Sequence, residues 1–139
     1  MNKTLLDTDI YSEVIGGHDP KVTRNAIEYR QAFGSLTFST ITVMEVLRGL
    51  QKSRAFGRMP RFLAAIALEE VLPFDQDAAE IAGRIGGDLE RVGRPIGVAD
   101  PMIAAVAIAH GLDLATGNAR HFGRIRDLGY PLTIVDWRS

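Results

Sequence analysis

Apolar positions along this chain fall into short runs separated by longer amphipathic stretches, and the alternation repeats from one end to the other. Lys3 to Leu6 predicts a first strand ending at Asp7, and Leu36 to Ser39 a second. Val71 to Phe74, Leu112 to Thr116 and Leu132 to Val135 predict three more. Between these runs the apolar spacing changes to the three-and-four-residue period of a helix. Helices are expected over Val22 to Phe33, Thr42 to Arg54 and Gln76 to Val92, and Pro60 suits the first turn of another through Phe62, Leu63 and Ile66. Val98 to His110 is almost wholly apolar and rich in small residues, the composition of a helix buried on several faces. Gly16 to Pro20 and Gly93 to Pro95 are breaks, and Gly111 suits a helix cap. Strands alternating with helices in this way argue for a three-layer α/β/α sandwich with a mainly parallel central sheet.

That architecture changes the meaning of four polar residues. Asp7, Glu45, Asp100 and Asn118 each follow a predicted strand or open the helix beyond one. An open parallel sheet collects its strand ends along one edge, where ligands bind at the point of strand-order reversal. Taken singly, each residue has an ordinary explanation. Asp7 and Asp9 leave a strand two residues apart, and Asp9 could cap a helix through Tyr11 to Ile15. Thr42 and Glu45 have the spacing of a capping box, Asp100 before Pro101 reads as a helix N-cap, and Gly117-Asn118 reads as a turn. Taken together they place three carboxylates and an amide on separate connections at one edge. Carboxylates brought close repel unless a cation neutralises them. An all-oxygen set suits Mg²⁺ or Mn²⁺ and points to metal-dependent phosphate chemistry.

Composition narrows the alternatives. With 139 residues the chain is expected to form one domain, residues 1–139, large enough for a true core. It has no cysteine, which removes disulfides and thiolate metal sites and fits a cytoplasmic protein. No apolar run is long enough to span a bilayer, and the opening MNKTLLDTDI is too short in apolar residues for a secretory signal. A net charge of −1 advertises no global affinity for nucleic acid, yet only three of the 16 basic residues are lysine. Arginine is the better shaped of the two for phosphate, and Arg48, Arg54, Arg58 and Arg61 form a local basic stretch whose default reading is a solvated helix face. The three histidines are scattered, with His121 in the loop after the fourth strand, and no phosphate-cradling glycine loop follows a strand.

In sequence, LLDTDIYSEV, SLTFSTITVMEVLRGL, PFDQDAAEIAGRI and RPIGVADPMIAAVAIAHGLDLATGNARHF resemble the successive segments of the PIN-domain family, specifically its VapC- and FitB-type toxin ribonucleases. The closing TIVDW resembles the FitB-like branch, and the similarity covers nearly the whole chain. Asp9 stands where asparagine is commoner, and Gly117-Asn118 where the family often carries a basic residue and an aspartate. The resemblance implies a metal-dependent endoribonuclease of a toxin–antitoxin pair, a homodimer, an RNA substrate and a VapB-like antitoxin. It puts metal-directed roles on Asp7, Glu45 and Asp100, with Asn118 as a neutral oxygen ligand, and makes Thr8, Asp9 and Thr116 supporting groups. Two other readings compete. The apolar strand ending in D-x-D also opens haloacid-dehalogenase-like phosphatases, with Asp7 as nucleophile and Asp9 as acid/base. A catalytically weak module that only binds antitoxin or RNA is the second.

Overall fold

The computed structural model describes residues 1–139. Five short strands, β1 (Thr4–Leu6), β2 (Thr37–Ser39), β3 (Glu70–Leu72), β4 (Asp113–Ala115) and β5 (Ile134–Val135), all pair in parallel. They form a three-stranded sheet in the order β1-β4-β5 and a two-stranded one of β2 and β3. β2 lies alongside β1, so the order across the molecule is β3-β2-β1-β4-β5, which reverses between β1 and β4. Where β1 and β2 meet, the hydroxyl of Tyr29 bridges them, accepting from Thr4 N–H at 3.3 Å and sharing a 2.7 Å bond with Thr37 Oγ1.

Side chains on a strand alternate between faces, so neighbouring residues enter different cores. Leu5 and Leu114 join the core beneath α5 (Gln76–Arg91), α6 (Ala99–Ala109) and α7 (Ala119–Asp127), whereas Leu6 and Ala115 join the core beneath α1 (Thr8–Gly16) and α2 (Pro20–Phe33). The remaining helices are α3 (Thr40–Lys52) and α4 (Met59–Ile66), the latter preceded by a single 3₁₀ turn, Phe56–Arg58. The expected three-layer sandwich is therefore present, with helices on both faces of a parallel sheet. α6 is the helix anticipated as buried on several faces: Ile103 to Ala107 are all inaccessible. No helix is long and apolar enough to cross a membrane.

Several expected helix starts shift, and each shift matters at the edge. Asp7, not Asp9, caps α1, its Oδ1 accepting from Thr8 N–H at 2.8 Å. The Thr42–Glu45 capping box is not formed, because α3 begins two residues earlier under Ser39, whose hydroxyl accepts from Thr42 N–H. Glu45 is thereby left inside the helix with its carboxylate free for other partners. Asp100 is likewise not an N-cap. It is the second residue of α6, and Val98 takes the cap position without a side-chain bond. α7 has no counterpart in the predicted elements: His121 lies in its first turn rather than in a loop, and Asn118 is its N-cap residue. Its buried face is only Phe122, Gly123 and Ile125 among charged neighbours, too weak a stripe to announce itself.

Candidate functional site

The carboxyl ends of β1 and β4 meet at the reversal of strand order, and Asp7 and Thr116 are the first residues beyond them. Asp7 N–H continues the ladder onto Ala115 C=O at 2.8 Å, which fixes its backbone. Its side chain is 6% exposed and doubly held: Oδ1 accepts from Thr8 N–H and Oδ2 from the Thr116 hydroxyl at 2.7 Å. Burial first, then the neighbouring Asp9 carboxylate and more weakly Asp100, push Asp7 up to about 7 despite those two bonds.

Glu45 comes to the same edge from α3. The Thr8 hydroxyl donates to Glu45 Oε1 at 2.6 Å and lies 2.9 Å from the hydroxyl of Thr42. Thr8 thus joins α1 to α3 through one oxygen. Asp100 arrives from the first turn of α6, half-buried, and is raised above the usual carboxylate range by burial and by Glu45, against the pull of His121. His121 Nδ1 stands 3.6 Å from Asp100 Oδ2 and 2.8 Å from Asn118 Nδ2. Asn118 N–H in turn donates to Thr116 Oγ1 at 2.9 Å. Asp7, Glu45, Asp100 and Asn118 therefore belong to one network carried by Thr8, Thr116 and His121. Two of those carriers were named from sequence as supporting hydroxyls; His121 was not.

Asp9 faces slightly away. Its Oδ1 accepts from Ile10 N–H at 2.7 Å and its Oδ2 from Gly117 N–H at 3.0 Å, with Arg138 Nη2 3.6 Å distant. Arg138 is the residue that sequence reading missed altogether. Its guanidinium forms a two-pronged pair with Glu13 on α1, including Nε to Oε2 at 3.0 Å, and lies directly over Gly117.

No group of three His, Cys, Asp or Glu side chains lies close enough together to hold a metal ion by itself. The donors facing the edge are nonetheless oxygens, and burial, aided by repulsion from neighbouring carboxylates, holds Asp7 and Asp100 above their ordinary proton affinities. A divalent cation relieves that repulsion. Mg²⁺ in particular keeps several waters and is held by one or two carboxylates plus substrate phosphate, so an open set of this kind fits it.

Beside the edge runs a groove between α1, α3 and α4. Tyr11, Val46, Leu50 and Phe62 contribute to its apolar lining, and Arg58 and Arg61 add charge. The basic stretch expected as a solvated helix face thus contributes two members to a concave surface.

A family model described as PIN domain matches residues 4–128. The chain is 38% identical over 133 residues to a tRNA(fMet)-specific endonuclease VapC of Shigella flexneri, covering 92% of this chain and 96% of that protein. It is 32% identical to Ribonuclease VapC2 of Haemophilus influenzae, covering 90% and 93%. Among solved structures, a DNA-bound VapBC from Salmonella typhimurium superposes with a TM-score of 0.81 at 33% identity over 99% of both chains. VapBC-1 from nontypeable Haemophilus influenzae superposes with a TM-score of 0.74 at 28% identity, over 98% of both.

Proposed function

The chain belongs to the PIN-domain family, and from that premise we propose that it is a divalent-metal-dependent endoribonuclease, the toxin of a toxin–antitoxin pair. The observation that carries the reading is the network through Thr8, Thr116 and His121 that links Asp7, Glu45 and Asp100 at the strand-order reversal, with Asp7 pushed up to about 7 by burial and by its acidic neighbours. A site that makes its own carboxylates reluctant to ionise is one suited to a cation.

Asp7 and Asp100 would hold Mg²⁺ or Mn²⁺, with Glu45 acting directly or through water and Asn118 offering its amide oxygen. Bound there, the ion supplies activation of water for attack on a phosphodiester and neutralisation of charge on the phosphoryl group. The protein's own part is orientation. Thr8 N–H and the Thr116 hydroxyl fix both oxygens of Asp7, and each oxygen keeps a further lone pair. The Thr8 hydroxyl fixes one oxygen of Glu45, and His121 stands between Asp100 and Asn118. Hydrolysis needs no covalent intermediate on the chain. The phosphatase reading lapses with family membership, and Asp9, turned to the Gly117 amide and Arg138, is not poised as its acid/base.

The solved VapBC structures that the chain resembles support a VapB-like partner, and a homodimer is what the family resemblance implies. The groove of Tyr11, Leu50 and Phe62 with Arg58 and Arg61 is the surface we assign to that partner. Purified protein incubated with Mn²⁺ and structured RNA, against Asp7→Asn, tests the function. Cleavage by wild type, lost in the variant and in chelator, is expected. Equal cleavage by both would overturn the site.

A further inference from the structure

The C-terminal tail after β5 does not trail into solvent. Trp137 is 3% exposed and packs against Tyr29 at 5.9 Å between ring centroids, and Asn25 Nδ2 donates to Trp137 C=O at 3.0 Å. Asp136 Oδ1 accepts from Arg138 N–H at 2.8 Å. This anchoring aims the Arg138 side chain back across the edge of the sheet. There its guanidinium pairs with Glu13 on α1, approaches Asp9 to 3.6 Å, and covers Gly117 in the turn between β4 and α7.

Gly117 is what makes room. A Cβ at that position would occupy the volume of the guanidinium itself, so any other residue must displace Arg138. The backbone there is not left-handed, since Gly117 is absent from the positive-φ glycines, so conformational freedom does not explain the glycine. The space does. Asp9 completes the arrangement by accepting from Gly117 N–H, which ties the turn to α1 from below while Arg138 covers it from above.

The same short turn carries Thr116, which holds Asp7 Oδ2, and Asn118, which meets His121. We propose that Arg138 is a positioning residue: with Asp9 and Gly117 it clamps the β4–α7 turn onto α1 and so sets Thr116 and Asn118 against the carboxylates of the site. It touches neither Asp7 nor Asp100, and acts only through the turn. Its guanidinium also balances Asp9 and Glu13, two carboxylates that would otherwise add to the charge at this edge. Arginine suits the task because its planar fork can serve Glu13 with two bonds and still face a second acid. The proposal rests on the ribonuclease reading for its kinetic consequence, but the clamp itself is a statement about the turn.

The experiment compares full-length wild type with Gly117→Ala, Arg138→Ala, Arg138→Lys and the double variant Gly117→Ala/Arg138→Ala. Three readouts are needed: amide exchange at Gly117, Mn²⁺ affinity by calorimetry without RNA, and kcat and KM on RNA. Both single alanine variants should speed exchange of the amide at position 117, weaken Mn²⁺ binding about 10-fold and lower kcat about 10-fold with KM little changed, the range expected when a group supporting metal ligands is removed. The double variant should be no worse than either single one, because alanine at 117 has already displaced the arginine. Arg138→Lys should recover part of kcat. Gly117→Ala should shift Tm by only a few degrees, because the restriction alanine places on the unfolded chain opposes the loss of the Arg138 contacts. A purely stabilising tail would instead lower Tm in step with activity. Multiplicative losses in the double variant, or Gly117 exchange and kcat unchanged in Arg138→Ala, would overturn the clamp while leaving the ribonuclease reading intact. Absence of cleavage by wild type would overturn the ribonuclease reading, and the exchange and Mn²⁺ data would still decide the clamp.

Discussion

Thr116 donates its hydroxyl to Asp7 at 2.7 Å across the one place where the strand order reverses, so the residue after β4 governs the residue after β1. That bond draws the Asp7 proton affinity down while burial drives it up. Thr116→Val keeps the shape and removes the donor. Asp7 should then titrate higher still, and the rising limb of a pH–rate profile should move to higher pH. Loss of a bond to a charged group in a buried site corresponds to about 1.5–3 kcal/mol. An unmoved profile would detach Thr116 from the chemistry.

Asp7 also makes metal-free stability depend on pH, and the sign follows from the direction of its shift. Its folded-state value, about 7, lies above the ordinary 3.8. The folded protein therefore binds the proton more tightly, and the associated stability, complete below about pH 4, is lost as pH rises towards 7. In chelator at pH 7.5, Asp7→Asn should melt above wild type by about 5 °C, a change of about 1–2 kcal/mol. The gap should close at pH 4. Thermal melts at the two pH values check both statements, and saturating Mn²⁺ should restore wild type alone.

Asn118 is expected to face a bound ion with its amide oxygen while its Nδ2 stays on His121, 2.8 Å away. Asn118→Asp would add a charge at that position and should tighten Mn²⁺ binding about 10-fold, the scale of one pKa-sized change in interaction energy. Calorimetry decides. If Asn118→Asp and Asn118→Ala both bind Mn²⁺ as wild type does, the residue serves only to start α7.

Tyr29 is wholly buried, and its hydroxyl is the link between Thr4 of β1 and Thr37 of β2. Tyr29→Phe leaves the Thr4 amide without this acceptor in an inaccessible seam, while the Thr37 hydroxyl keeps its bond to Glu70. The cost should be about 1–3 kcal/mol by urea titration, with the m-value unchanged. A loss within error would mean that the two sheets need no such bridge.

The groove assigned to the antitoxin gives a fifth measurable consequence. Leu50 lines it beside Phe62, and Leu50→Asp would set a charge on its apolar floor. Affinity for the partner should fall at least about 30-fold, the loss typical of a central contact residue. Titration of labelled antitoxin is the direct check, and unchanged binding would move the partner elsewhere.

Much of the fold could be read from local pattern because β1, β2 and β4 are short apolar runs that end abruptly in polar residues, and because α6 is apolar all round. Asp7 and Glu45 were legible for the same reason. What failed was punctuation. Thr42 and Glu45 had the spacing of a cap, but Ser39 sits at the true start of α3, and the competing local bond at Ser39 decided the matter. α7 escaped notice because its burial rests on three residues in a charged segment. Arg138 could not be found at all from the pattern. Its place depends on a missing side chain at Gly117 and a buried Trp137, neither of which is near Glu13 in sequence.

The parallel register of Thr4 with Asp113 sets a time as well as a place. β1 leaves the ribosome before β4, and the Thr116 hydroxyl that meets Asp7 lies 109 residues later than it. Pairings this distant in sequence form slowly and only after the intervening chain has been made. A growing chain thus carries Asp7 and Glu45 through most of its synthesis without the edge that would join them to Asp100. Arg138 is made later than either β4 or β5. For a protein read as a poison to its own cell, the order of strands works as a delay: the cutting edge cannot be assembled on a half-made chain, and a partner present at the end of translation meets it as it forms.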